Sequence, residues 1–340
     1  MLITYLFGAG ASCEVLPLVD GIPKRMNEIS LKLEKFKDEI EANLKDELTL
    51  LIDDINLLSA EAAKHASVDT YAKKLFLTQN WEKFNWLKRI LSYYFTIEQL
   101  FLAGKCDSRY DTLWASLAGK HSFDLPKNVR ILSWNYDLQF ELSFAEYESK
   151  KSLGEIQNIL GVVEKTNDKR IDEVINQFGI YKLNGTANTI KDFDGPFVND
   201  VYILDDFKDG LTAEKLNNLL KSCKGLKDSE TATQKKVPSL SFAWEEVTYK
   251  STFQKTLLEL IKDEIFVTEI LVVIGYSFPF FNRDIDRELI RSMKLKKIYI
   301  QDPHPDQVIS SFRSIIGDMP NDIIEPVGIS KQFFLPPELD

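Results

Sequence analysis

Cysteine is scarce in this chain, with three in 340 residues. Cys13, Cys106 and Cys223 stand far apart, which excludes a disulfide framework and a four-cysteine zinc site and fits a reducing compartment. Histidine is as rare (His65, His121 and His304), and no metal is expected. No apolar run approaches the roughly 20 residues a membrane span needs. The longest unbroken one, Ile270 to Ile274, reads as a strand. The opening residues lack a basic region and a cleavage site, and Leu2 to Phe7 is too short for a secretory signal, so a cytoplasmic protein is expected. Excess positive charge is missing as well. A net charge of −10 argues against binding nucleic acid mainly through a basic surface, and Lys294, Lys296 and Lys297 read as a solvated face. Internal repeats and low-complexity tracts are absent.

What is present describes an ordinary folded chain, 44% hydrophobic and 28% charged, long enough for one large domain or two small ones. The apolar run Leu2 to Phe7 leads straight into Gly8-Ala9-Gly10-Ala11-Ser12. A short strand entering a Gly-x-Gly turn can present backbone N–H groups to a diphosphate, because glycine permits close approach and φ values a Cβ forbids. The third glycine of the dinucleotide fingerprint is missing, since Cys13 follows Ser12. A tight strand-to-helix turn without a ligand is the alternative.

Between Gly21 and Lys120 the pattern is almost wholly helical. Met26 to about Leu51, Trp81 to Leu102 and Ser108 to Leu117 carry apolar residues at helical spacing, which places core-facing helices there. Strand signals return at Asn128 to Ser133, Gly179 to Leu183, Glu269 to Ile274 and Lys297 to Gln301. Helices are expected after Asp137 through Tyr147, over about Ser251 to Lys262, and over Asp284 to Met293. The polar stretch from about Lys191 to Val237, with Asp194-Gly195-Pro196, reads as surface loop and helix, a candidate lid. Strands alternating with helices, the buried ones nearly continuously apolar, give the fold class: α/β, a Rossmann-like parallel sheet with helices on both faces and an inserted helical module. The expected organisation is a single domain, 1–340. Residues 22–120 form the insertion, 121–305 the remainder of the core and 306–340 a C-terminal extension.

Ligands of such sheets bind beyond the carboxyl ends of the strands, where the strand order reverses. Every expected strand ends in small or polar residues: Gly8 to Ser12, then Asn135 and Asp137, then Asn184-Gly185-Thr186, then Gly275 and Ser277, then Asp302. Gly8, Ala9, Gly10, Ala11 and Ser12 are candidates to hold a diphosphate, with Gly275 and Ser277 adding phosphate or ribose contacts. Asp302 either accepts from ribose hydroxyls or caps the following helix. Asn135 and Asp137 either orient a nicotinamide-bearing ribose or a water, or form an Asx-type cap on the next helix.

As an ordered set these motifs resemble the sirtuin-like NAD-binding family, specifically its bacterial defence-associated branch. Gly8-Ala9-Gly10-Ala11-Ser12 with Gly21-Ile22-Pro23-Lys24-Arg25 is similar to the sirtuin opening, across a longer gap, and implies a phosphate-proximal Arg25. Ser133-Trp134-Asn135-Tyr136-Asp137 resembles the family's Asn-x-Asp motif lining the nicotinamide pocket. Gly275-Tyr276-Ser277 resembles its Gly-Thr-Ser turn at the adenine end. Lys182-Leu183-Asn184-Gly185 resembles the strand that normally ends in His-Gly. Two departures stand out. The paired cysteines of a deacylase zinc ribbon are absent, which removes histone-type deacylation. Asn184 also stands where the family has its catalytic histidine, and an amide cannot act as a general base near neutral pH.

The resemblance implies a hydrolase that takes NAD+ as substrate and releases nicotinamide, with Asn135, Asp137 and Asn184 as its catalytic set. It further implies an anti-phage effector that depletes NAD+, held silent as a homo-oligomer or by a partner ATPase or argonaute-like protein. A catalytically silent sensor of NAD+ or ADP-ribose is the alternative that Asn184 favours. A scaffold presenting the aromatic-rich helical module is a third.

Overall fold

The computed structural model describes residues 1–65, 67–121, 124–164, 176–194, 197–229, 235–245, 257–317, 320–328 and 331–339. Its centre is a seven-stranded, all-parallel sheet of Rossmann-like α/β type. The strands are β1 (Leu2–Phe7), β2 (Val129–Ser133), β3 (Val162–Val163), β4 (Gly179–Lys182), β8 (Thr268–Ile274), β9 (Lys297–Gln301) and β10 (Ile324–Val327). They lie in the order β10-β9-β8-β1-β2-β4-β3. The chain first builds outward from β1 through β2, then returns to place β8 on its other side. The strand order therefore reverses beside β1, which positions the glycine turn at the crevice.

Alternation along β1 shows why the sheet is covered on both faces. Ile3, Tyr5 and Phe7 join one apolar layer, with α5 (Ser108–Leu117), α6 (Gln139–Phe144) and α7 (Leu153–Ile159). Leu6 joins the other, with α9 (Leu257–Ile265), α10 (Arg283–Ser292) and α11 (Pro305–Ile316). All six β1 residues are buried. Burial of each large side chain contributes about 1.5–3 kcal/mol. Residues 306–340, expected as an extension, supply most of α11 and the edge strand β10. The expected helix at Ser251 to Lys262 begins outside the described residues, and its described part is α9.

Between β1 and α5 stand α1 (Ile22–Leu33), α2 (Lys45–Ala63), α3 (Val68–Leu77) and α4 (Trp81–Phe101). The single periodic stretch from Met26 to Leu51 is two helices, with turns at Glu34–Phe36 and Ala42–Leu44 between them. Periodicity runs through the break because Leu33, Ile40, Leu44 and Leu48 all face one core. α4 is the axis of this unit. Asn80 caps it by accepting from Lys83 N at 3.3 Å, and Ile90 to Leu100 are buried without interruption.

The stretch from Lys191 to Val237 contains the expected helix, but the part read as loop is corrected to strands. It holds an antiparallel sheet of β5 (Thr189–Asp194), β6 (Phe197–Tyr202) and β7 (Lys235–Pro238), together with α8 (Ala213–Ser229). Its polar composition hid the strands because ladder positions carry charge, as in the Lys236–Asp192 pair at 3.3 Å. Leu216, Leu219 and Leu220 of α8 share the core of α1 to α4.

The glycines of the crevice separate a packing role from an ordinary one. Gly275 has φ +57°, and a Cβ there would lie 2.5 Å from Ala11 N and from the Gly10 carbonyl carbon. Gly275→Ala is expected to cost more than about 1 kcal/mol. Gly225, with nothing within 4 Å, sits in the exposed interior of α8, and Gly225→Ala is expected to stabilise by about 0.5–1 kcal/mol. Chemical-denaturation midpoints of the two variants check both signs.

Candidate functional site

The turn after β1 is pinned to the turn after β8. Gly8 N donates to Ile274 O at 3.1 Å, Gly10 N to Gly275 O at 2.9 Å, and Ala11 N to Gly8 O at 2.9 Å. Cβ atoms at Gly8 or Gly10 would collide with Gly275 or Tyr276 at 2.6–3.0 Å. Glycine is thus required here for backbone-to-backbone contact, and these three N–H groups already have acceptors. Ala9 stands exposed at the tip.

Ser12 is the hub of the polar cluster. Its Oγ donates to Asp137 Oδ2 at 2.9 Å. With that proton committed, Ser12 Oγ accepts from Tyr110 OH at 2.9 Å and from Asn135 Nδ2 at 3.5 Å. Asn135 Nδ2 also donates to Gly8 O at 3.0 Å, tying the end of β2 to the turn of β1. Asp137 Oδ1 accepts from Gln139 N at 3.1 Å, the Asx-type cap at the start of α6. Hub and cap therefore coexist in one carboxylate. Burial raises the Asp137 pKa, and nearby Lys182 opposes the shift.

Asn184 lies one strand further along. Its Nδ2 donates to Trp134 O at 3.1 Å, whereas its buried Oδ1 has no partner among the described residues. An orphaned buried acceptor costs about 1–3 kcal/mol, and this oxygen is one of the buried polar atoms near the strand ends left without a partner among the described residues. The opposite edge is less engaged. Ser277 is exposed, and Asp302 Oδ1 accepts from His304 N at 2.8 Å, a local turn leading into α11. Arg25 is held by Glu98, with Nε to Oε1 at 2.8 Å, and by Glu28 at 3.0 Å. Glu98 is wholly buried, and desolvation raises its pKa against the pull of Arg25.

Neither a protein-family model nor a curated protein sequence matches this chain.

The arginine touching the glycine turn is Arg109, which no motif marks. Its Nη2 donates to Gly10 O at 3.2 Å and Ala11 O at 3.1 Å, and its Nε donates to buried Asp107 Oδ1 at 2.8 Å. The guanidinium lies over Phe333, 5.1 Å from the ring centroid. Asp107 also caps α5 by accepting from Arg109 N at 3.1 Å. The signal that could have found it is Asp107-Ser108-Arg109 at a helix start, a pattern that by itself marks only a boundary.

One buried carboxylate, Asp286, lies outside the motifs and bonds a residue in each of two of them. Trp134 Nε1 and Tyr276 OH donate to the two oxygens of buried Asp286, at 3.1 and 2.8 Å. This carboxylate joins the loops after β2 and β8 through neutral donors, and burial pushes its pKa up to about 7. Beside it, Trp134, Leu183, Ala243, Leu257 and Ile285 wall an apolar pocket. Among the described residues no helix is long and apolar enough to cross a membrane.

Arg109→Met leaves Asp107 buried without its cation and is expected to lower stability by about 3 kcal/mol, with partial recovery when Asp107→Asn is added, read from denaturation midpoints. Asp286 generates a pH dependence with a definite sign. A carboxyl whose folded pKa is raised binds its proton more tightly in the folded state, so its effect on stability worsens as pH rises. Wild type should lose up to about 1.4 kcal/mol per pH unit between about pH 4 and pH 7 from this group. Asp286→Asn should flatten that interval of the stability profile.

Proposed function

We propose that this chain binds NAD+ at the carboxyl edge of β1, β2, β4 and β8 and hydrolyses its nicotinamide–ribose bond. The observation that carries the reading is the hydrogen-bonded set Ser12, Asn135 and Asp137 at adjacent strand ends, with the unpartnered Asn184 Oδ1 on the next. Water adds to the anomeric carbon as the bond to nicotinamide breaks, giving nicotinamide, ADP-ribose and a proton. The transition state carries oxocarbenium-like charge, and the leaving group is already cationic. Catalysis then rests on orientation and charge stabilisation more than on a strong base.

In this reading Asp137 supplies negative charge, Asn135 fixes the ribose, and Asn184 Oδ1 accepts a hydrogen bond from a ribose hydroxyl. The absent histidine lowers the rate, since a positioned base contributes ~10²–10⁴-fold. The family resemblance extends the proposal to an anti-phage effector that depletes NAD+, silenced by self-assembly or by a partner ATPase or argonaute-like protein.

A second reading, a sensor that binds NAD+ or ADP-ribose without turnover, is favoured by one observation. Both oxygens of Asp137 and the N–H groups of Gly8, Gly10 and Ala11 are occupied by the protein itself. Nicotinamide release from NAD+ separates the two. Turnover abolished by Asn135→Ala and by Asp137→Ala supports hydrolysis, and Asn184→His should raise the rate. Binding by calorimetry with no nicotinamide released supports the sensor.

A further inference from the structure

Beneath the cluster lies a fully buried lysine that the proposed chemistry does not use. Lys182, the last residue of β4, and Glu141 of α6 are both wholly buried. Lys182 Nζ donates to the Asp137 main-chain carbonyl at 2.7 Å and to Glu141 Oε2 at 3.2 Å, and it lies 5.5 Å from the ring centroid of Phe140. The second oxygen of Glu141 has no partner among the described residues. A buried ion pair of this kind is weak as a source of stability, because desolvation offsets most of its attraction. Its position beside the site calls for another explanation.

We propose that Lys182 is a positioning residue whose buried ammonium fixes the Asp137 backbone and is the counter-charge for the Asp137 and Glu141 carboxylates. The inference rests on the reading that Asp137 acts at this site. Among the described residues, the charged and titratable groups around Asp137 and Glu141 include Lys182 from β4, Tyr110 and Arg109 from α5, Asp107 and Cys106 from the loop before it, and buried Glu164 after β3. Arg109 is committed to Asp107 and to the carbonyls of the glycine turn. Lys182 is the cation that bonds both the Asp137 main chain and the Glu141 carboxylate.

The backbone geometry agrees. Leu138 N donates to Gln99 Oε1 at 2.6 Å and Gln139 N to Asp137 Oδ1, and the Lys182 bond adds a restraint from below to the same short loop. Desolvation raises both acids, and Lys182 is the leading charge that opposes the rise in each. One ammonium, bonded to the Glu141 carboxylate and to the Asp137 main chain, acts on both buried acids, so their titrations are coupled.

The test reads Asp137 directly, by carbon-13 NMR titration of its side-chain carboxyl in labelled full-length protein. Lys182→Met should move the Asp137 midpoint up by about one pH unit or more, the range an adjacent opposite charge controls. Glu141→Gln, which perturbs the same pair but keeps the cation, should not raise it. If Lys182→Met alone does not fold, the Lys182→Met/Glu141→Gln double variant removes both charges and should still show the upward shift. An Asp137 midpoint unchanged by loss of Lys182 overturns the proposal. The acid limb of nicotinamide release should move by the same interval in Lys182→Met. Absence of turnover in every protein would count against the hydrolase alone, since the NMR readout needs none.

Discussion

The contact on which this molecule depends is the meeting of two turns, Gly8–Gly10 after β1 and Gly275 after β8. Backbone lies on backbone there, with Gly10 N bonded to Gly275 O and no room for a Cβ on either side. This close approach sits where the strand order reverses. It lets β8 enter beside β1 and brings both loops to the crevice. Asn135 extends the same join across to β2 by donating to Gly8 O. Glycine in this chain therefore acts first as a packing device, and any ligand must be accommodated around a turn already bonded to its neighbour.

Around that contact the protein buries charge in a graded way. Arg109 is matched to Asp107, Lys182 to Glu141, and Arg25 to Glu98. Each pair stands at a junction between a helix and the strand ends or their neighbouring helices. Asp286 differs because its donors among the described residues, Trp134 and Tyr276, are neutral, and its carboxyl is correspondingly easier to protonate. Buried pairs contribute little net stability on average, but removing one member is costly. Their effect here is to hold loops in one arrangement.

Much of the frame is legible in the amino-acid order. The five anticipated strands are present with ends shifted by a residue or so, because buried parallel strands read as short apolar runs bounded by turn residues. The helical insertion is legible too, although one continuous period conceals the α1–α2 hairpin. Strands β5 to β7 are not, since charged ladder positions on a small antiparallel sheet resemble loop composition. Edge strand β3 has only two residues, and β10 carries exposed Glu325 and Pro326, so neither reads as a buried apolar run.

At the site, sequence order determined which residues end the strands: Gly8 to Ser12, Asn135 and Asp137, Asn184, Gly275, and Asp302. Backbone periodicity and turn chemistry are local, and local chemistry is written in consecutive residues. Partners are not. That Ser12 bonds Asp137 and Tyr110, that Arg109 rather than Arg25 grips the glycine turn, and that Lys182 lies under Asp137 are contacts between residues tens to more than a hundred positions apart. Only the folded sheet brings such groups within hydrogen-bonding distance. Burial, which raises the pKa of Asp137 and Asp286, exists only once that sheet is covered.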